Sequence, residues 1–411
     1  RWTFASRTQC LSCHTPWAQH ALAFTPAQLQ RTIHRDGAAI AQLLWLEDQG
    51  IYRRVDAEQQ TPESLTSDTL ADVPRLAAAD DPHATAADHA RSYLHVNCSH
   101  CHRFNGGGAG SFELLRTLSD ADMHLIDESP RQGTYEIPDA RLVAPGAPER
   151  SLLYLRMAKF GRGRMPHLGS EFVDEQALRW LEEWIRGLAP TPTRRQTRQA
   201  SLETLPDALA NARRLGRGEL STTEREALLA AAVAHPSVLV QDLFAGYQPP
   251  ERRRVTLGSS IRPETILAHS GDAARGAQLF HRTNGVQCRT CHKLDAPTAG
   301  VGPDLRETAR KRTRQELLDS LLEPSKVIDK PYRLHVVQTD SGRVHSGVIV
   351  HQDDREIVLR DVNARDTTIP RAEIESLTPT QKSLMPDGLL RDLTAQEAAD
   401  LLAYLESLKG S

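Results

Sequence analysis

Six cysteines occur in the 411-residue chain, and all six fall in copies of one pattern. The copies read Cys10-Leu11-Ser12-Cys13-His14, Cys98-Ser99-His100-Cys101-His102 and Cys288-Arg289-Thr290-Cys291-His292. Cys-x-x-Cys-His is the attachment signature of c-type haem. Two thiols three positions apart reach the two vinyl groups of one porphyrin and form thioethers, and the next imidazole lies under the iron as its proximal ligand. Other chemistries use parts of this pattern. Zinc sites employ Cys-x-x-Cys pairs but do not need His directly after the second Cys each time. A redox dithiol is expected once, near a strand–helix–strand unit. Disulfides leave the repeated histidines without a role. A pattern that consumes every cysteine predicts three covalently bound haem c groups. Cys10, Cys13, Cys98, Cys101, Cys288 and Cys291 are then the thioether positions, and His14, His102 and His292 the iron ligands.

The rest of the composition narrows the class. Lys and Arg total 50 against 53 Asp and Glu, a net charge of -3, which argues against a nucleic-acid binder. No apolar run approaches the length of a membrane span, so no span is expected. Only 5% of residues are aromatic, so something besides aromatic bulk must help to fill the core. Haem is attached outside the cytoplasm, which predicts a periplasmic or extracellular location. The chain starts at Arg1 and shows no apolar leader. The expectation is a processed mature form, its signal peptide removed, or a fragment of a longer protein.

These sites need helices and loops to hold them, and the length suggests two to four domains at about 100–200 residues each. Residues 1–75 form a short first haem module, with too few residues before Cys10 for a leading helix. In it, Thr25-Pro26-Ala27-Gln28 is a capping box with Pro at the first helical position, and a second helix is expected over 38–49. Residues 76–190 form a second module, in which Tyr93 and Leu94 precede the motif. There Asp174 opens a helix carrying Leu178, Leu181, Trp184 and Ile185. Pro190-Thr191-Pro192-Thr193 reads as a linker into a helical spacer, the two covering 191–265. Residues 266–411 form the third module. Gly276 and Phe280, four apart, share a helix face before its motif. Thr394-Ala395-Gln396-Glu397 caps a closing helix with Leu401, Leu402, Tyr404, Leu405 and Leu408 along one stripe. Between 331 and 375, short β-rich runs separated by turn residues predict a small meander inserted in this module.

The order of helix, Cys-x-x-Cys-His and closing amphipathic helix resembles a class I cytochrome c. The resemblance implies a mainly α fold of tandem class I cytochrome c-like modules with the β-meander insertion in the third. It also implies that the first and last helices cross at a small-residue and aromatic contact, which Gly276, Phe280 and Tyr404 match. Gly302-Pro303-Asp304-Leu305 resembles the family loop whose proline carbonyl holds the proximal histidine, and that role falls to Pro303. Met165 in Arg164-Met165-Pro166 and Met385 in Leu384-Met385-Pro386 precede the two closing helices, where the family places its distal Met. They are the expected second ligands of the second and third haems, whereas Met157 lies in a helix-like run and reads as core. For the first haem the candidates are His20, His34 and Met123, with nothing in the sequence to choose among them.

A wider resemblance covers most of the chain. Residues from about 240 to 408 are similar to the haem-binding C-terminal domain of planctomycete- and verrucomicrobial-type proteins. The matching segments are Gly271-Asp272-Ala273-Ala274-Arg275-Gly276, Glu323-Pro324-Ser325 and Ser383-Leu384-Met385-Pro386-Asp387-Gly388-Leu389. The front 190 residues resemble a dihaem cytochrome c segment through Asn97-Cys98-Ser99-His100-Cys101-His102 and Pro145-Gly146-Ala147-Pro148-Glu149-Arg150. Such modules accompany β-propeller dehydrogenases that use pyrroloquinoline quinone (PQQ), which makes a redox protein of that type the implied partner. The leading expectation is therefore a triheme electron-transfer protein, with the chemistry carried by the cofactor and the chain holding and tuning it. A dihaem-peroxidase-like enzyme would need an open iron position, for which only the first haem qualifies. A subunit of a haem-conducting filament would suit bis-His ligation, against which the two Met-Pro sites argue.

Overall fold

The computed structural model describes residues 10, 13–14, 18, 22–55, 62–104, 106, 108, 110, 112–130, 133–161, 163–167, 172–188, 201–258, 260–281, 288–292, 294, 300–340, 344–361 and 364–410. The linker expected at 190–193 and the candidate His20 lie outside them. The fold mixes helix with antiparallel sheet, which corrects the expectation of a mainly α chain. Strands occur in the front part as well as between 331 and 375. No helix among the described residues is long and apolar enough to cross a membrane.

The chain divides into two compact units, the first made of Arg1–Arg131, Glu136–Lys159 and Arg164–Gly246. Its opening helix α1 (Pro26–Leu29) carries the expected capping box, with Thr25 and Gln28 bonded reciprocally. The helix expected over 38–49 is shorter than expected. Residues β1 (Thr32–Arg35) and β2 (Ala38–Ala41) pair as a hairpin, and only α2 (Gln42–Asp48) is helical. The reason is local: Asp36 and Gly37 both take positive φ and turn the chain, and β2 pairs back on β1 before the helix can begin. A two-residue pair, β3 (Arg54–Val55) and β4 (Pro62–Glu63), and a short helix α3 (Ser67–Ala71) follow.

The core of this unit is helical. Thr85 and Asp88 form a capping box that opens α4 (Ala86–Cys98), and this helix runs straight into the second motif. Short α5 (Leu152–Ala158) precedes α6 (Glu175–Gly187), which Asp174 caps as its spacing predicted. Helices α4 and α6 pack together, with His89 stacked on Trp180 at 4.6 Å and Leu178, Leu181, Trp184 and Ile185 buried. The spacer region contributes α7 (Leu205–Gly216), α8 (Thr222–Ala234) and α9 (Val238–Phe244). These pack in the same unit: α7 lies on the turn at Pro148–Arg150, and the buried Lys159 ammonium meets Asp242 of α9 at 3.1 Å. Two charges so deeply buried hold only as a pair, because removing either leaves the other uncompensated. Glu182 accepts from Tyr154 at 2.9 Å and from Arg217 at 2.6 Å, tying α5, α6 and the end of α7.

The second unit comprises Tyr247–Ser411 with short segments at Gln132–Tyr135 and Phe160–Gly163. Its helices are α10 (Pro263–Leu267), α11 (Ala273–His281), α12 (Cys288–Cys291), α13 (Leu305–Lys311), α14 (Arg314–Leu322) and α15 (Ala395–Ser407). Thr394 and Glu397 make the expected capping box of α15. Helices α11 and α15 cross closely: a Cβ on Gly276 would stand 2.0 Å from the Asp400 carbonyl oxygen. Beside the crossing, the Phe280 and Tyr404 rings lie 5.3 Å apart. Asp400 is buried against this crossing and accepts from the Asp272 backbone amide at 2.8 Å and from Arg275 at 2.7 Å. The apolar core gathers Ile266, Phe280, Leu317, Leu318, Leu401 and Leu402.

Five strands sit between α14 and α15: β5 (Leu334–Thr339), β6 (Val344–Gln352), β7 (Glu356–Arg360), β8 (Asp366–Pro370) and β9 (Ile374–Pro379). Their order is β8-β7-β6-β5-β9, all antiparallel, so a four-strand meander is completed by a last strand that returns to the free edge of β5. That strand continues past residue 375, where the alternation in sequence had faded. Val337, Ile357, Leu359 and Ile369 form the sheet's own small core, separate from the helical one.

Candidate functional site

The third motif is the most fully braced. Cys288–Cys291 form the single helical turn α12, closed by the His292 amide on the Cys288 carbonyl at 2.9 Å. The Val301 and Gly302 amides both reach the Cys291 carbonyl at 3.2 Å and place residues 301–303 beside the motif. The His292 Nδ1 then lies 2.9 Å from the Pro303 carbonyl oxygen. A carbonyl only accepts, so Nδ1 carries the proton and Nε2 is the lone-pair nitrogen of the neutral ring. A side chain at residue 302 is excluded, because its Cβ would stand 2.6 Å from His292 Cε1. Burial holds the His292 pKa below the ordinary histidine value, against the Pro303 bond that raises it. The ring is therefore kept neutral, the form that binds metal. Cys288 and Met385 both pack against the helical core of this unit, and the Met385 amide is fixed to Ser383 Oγ at 3.1 Å.

The second motif starts on the last residue of α4. The His102 amide donates to the Cys98 carbonyl at 2.9 Å, and the His102 carbonyl accepts from Leu114 at 2.9 Å. Its ring stacks on Phe112 with centroids 4.6 Å apart. Its Nδ1 is buried and finds no hydrogen-bond partner among the described residues. Burial, then the charges of Arg156 and His100, push the His102 pKa down to about 4. Burial raises the Cys98 thiol to about 12, and Cys101 is raised by its contact with Cys13 and then by burial. Met165 donates its amide to the Arg156 carbonyl at 2.9 Å, so it hangs from the residue whose charge reaches His102. Arg164 beside it is buried, bonding the Lys159 carbonyl at 2.7 Å and the Phe172 carbonyl, and burial lowers its pKa to about 10.

The first motif is the most open. Cys10 and His14 are exposed and Cys13 is half-buried, with the His14 amide on the Cys10 carbonyl at 2.9 Å. Of its candidate second ligands, His34 is exposed on β1 opposite Ala39. Met123 is completely buried, and its carbonyl accepts from Glu113, the residue before the Leu114 that bonds His102. The structure thus ties Met123 to the second motif's surroundings.

One juxtaposition was not foreseen. Cys13 Sγ and Cys101 Sγ are 3.2 Å apart, although 88 positions separate them in sequence. A His100 ring nitrogen and these two sulfurs all lie within 4.8 Å of one another. The short first module was expected to lean on the second for part of its pocket, but not through a contact between their thiols. A second missed feature is Gly108, whose amide bonds the Cys101 carbonyl at 2.9 Å and where a Cβ would lie 2.9 Å from His102 Nδ1. The glycine run at 106–108 was the available signal, since glycine permits such close backbone approach. Compared with known proteins, the chain matches no family model and no curated relative.

Proposed function

We propose that this chain is a triheme c-type cytochrome that passes electrons one at a time from a periplasmic dehydrogenase, of the PQQ-dependent β-propeller type, to a downstream acceptor. The observation that carries the reading is at the third motif, where His292 is held neutral by burial with its Nδ1 proton on the Pro303 carbonyl. That bond fixes both the tautomer and the ring plane of a metal-ligating imidazole. Gly302, directly before the acceptor, leaves the space that the His292 ring occupies. Support also comes from the α11–α15 crossing at Gly276, Phe280 and Tyr404, which matches the class I cytochrome c arrangement.

Haem, when bound, supplies a one-electron iron couple whose potential depends on its axial ligands and its burial. The chain's own residues do the rest. Cys10, Cys13, Cys98, Cys101, Cys288 and Cys291 provide the thioether sulfurs, and His14, His102 and His292 the proximal nitrogens. Met165 and Met385 serve as second ligands in this reading, each with its backbone amide already fixed. Thioether ligation favours the reduced iron and so raises the potential. Desolvation lowers the pKa of His102 and of His292 and keeps both rings neutral.

Denaturing mass spectrometry of protein matured with haem-attachment machinery tests the reading. It should return the chain plus three haem masses, one on each motif-bearing peptide. Fewer than three, or thiols bridged by zinc in their place, would overturn it. For the partner, a quinoprotein dehydrogenase should reduce the protein rapidly in stopped flow, and failure of such a donor removes that part alone.

A further inference from the structure

The contact between Cys13 and Cys101 joins one thiol of the first motif to one thiol of the second, leaving Cys10 and Cys98 outside it. Both sulfurs are half-buried, and the pair bridges a long loop of the first unit. A disulfide needs its sulfurs at about 2.0 Å, so closure asks for a movement of roughly 1 Å. In an oxidising compartment two thiols so placed are substrates for thiol–disulfide exchange.

We propose that, before haem is attached, Cys13 and Cys101 form a reversible disulfide that cross-links the first and second attachment motifs. The oxidant is an external disulfide, either a small-molecule one or that of a dithiol oxidoreductase. The Cys13 thiolate displaces one thiolate from it and forms a mixed disulfide. The Cys101 thiolate then attacks the Cys13 sulfur and releases the second thiolate. The two cysteines lose two protons and two electrons, and the oxidant gains both as two thiols. Each of the two motifs is thereby left one thioether sulfur short, and both are restored together by one reduction. The cross-link rests on the Cys13–Cys101 geometry and an external disulfide; the oxidising compartment and the effect on loading rest on the haem reading above.

The test uses the full-length haem-free chain, equilibrated with oxidised glutathione and EDTA, blocked with N-ethylmaleimide and digested without reductant. The expected product is a peptide pair linked through Cys13 and Cys101 that disappears with dithiothreitol. It should be absent in Cys13→Ser and retained in Cys10→Ser. Acid-trapped chain, newly exported from cells lacking attachment activity, should show the same pair, which guards against loss of structure in vitro. Alkylation of both Cys13 and Cys101 in both preparations, or linkage only within each motif, overturns the proposal. In an attachment assay the oxidised chain should acquire haem at the first two motifs only after reduction. A chain that forms the cross-link yet takes up no haem when reduced refutes the cytochrome reading and leaves the cross-link standing.

Discussion

Replacing Gly276 by Ala tests whether the α11–α15 crossing carries the second unit. The added methyl would lie 2.0 Å from the Asp400 carbonyl oxygen and 2.8 Å from Tyr404 Cβ. Carbon–oxygen contacts ordinarily rest at about 3.3–3.6 Å, so the helices must part by more than ~1 Å. A gap of about 0.5–1 Å already forfeits a quarter to a half of each dispersion contact. The contacts at stake are those of Phe280, Leu401 and Leu402, all fully buried. Overpacking of this kind costs about 1–3 kcal/mol. At ~1.4 kcal/mol per factor of ten, amides of α11 and α15 should exchange about 5- to 140-fold faster. Hydrogen-exchange mass spectrometry on the full chain reads this locally. Gly187→Ala is the control, because a Cβ there meets nothing within 4 Å. Protection of α11 and α15 equal to that of the parent would refute the close-crossing argument.

If the proposed cytochrome reading holds, Met165→Ala and Met385→Ala should each lower the potential of one haem or convert it to high spin, read by spectroelectrochemistry and paramagnetic resonance. Parent-like spectra in both variants would remove the ligand assignment. Acid stability of the second unit should depend on Asp400. Burial raises its pKa, but Arg275, the Asp272 amide and Gln396 outweigh that and hold the carboxyl below its ordinary value. A depressed carboxylate stabilises above its unfolded pKa and loses that contribution as pH falls through the folded one. The loss should therefore set in below pH ~4, and Asp400→Asn should flatten acid unfolding there. An unchanged acid limb, followed by exchange protection of α15, would count against it.

Much of the local architecture was legible in the sequence. Thr25, Asp174 and Thr394 announce helix starts because a cap needs only residues three or four positions apart. The crossing at Gly276 and the Pro303 loop were expected from the resemblance to class I cytochrome c and not from a local rule, whereas the β insertion was read from alternation between turn residues. What was not legible depends on distance in sequence. No local signal links Cys13 to Cys101, and none pairs Lys159 with Asp242. Residues 38–41 misled because Ile40 and Leu43 keep helical spacing, while pairing with β1 is a tertiary choice. The strand content of the front part was missed on the same ground.

The two best-built motifs differ in one atom's surroundings, and that difference has a measurable consequence. His292 gives its Nδ1 proton to Pro303 at 2.9 Å, whereas His102 relies on stacking with Phe112 and has no such acceptor among the described residues. A proximal imidazole that donates to a carbonyl is the more basic ligand. A more basic ligand favours oxidised iron, so on the proposed cytochrome reading, with Met as the second ligand in both sites, the third haem should titrate at the lower potential. Gly302→Ala perturbs the cause directly, since its Cβ would press to 2.6 Å on His292 Cε1 and drive the ring from its acceptor. The expected result is an upward shift of the third haem's potential, or its conversion to high spin, with the second haem unmoved. The Met→Ala variants identify which wave belongs to which site. A third-haem wave that stays in place in Gly302→Ala would show that the Pro303 bond does not tune the ligand, and the argument from His292 would fail with it.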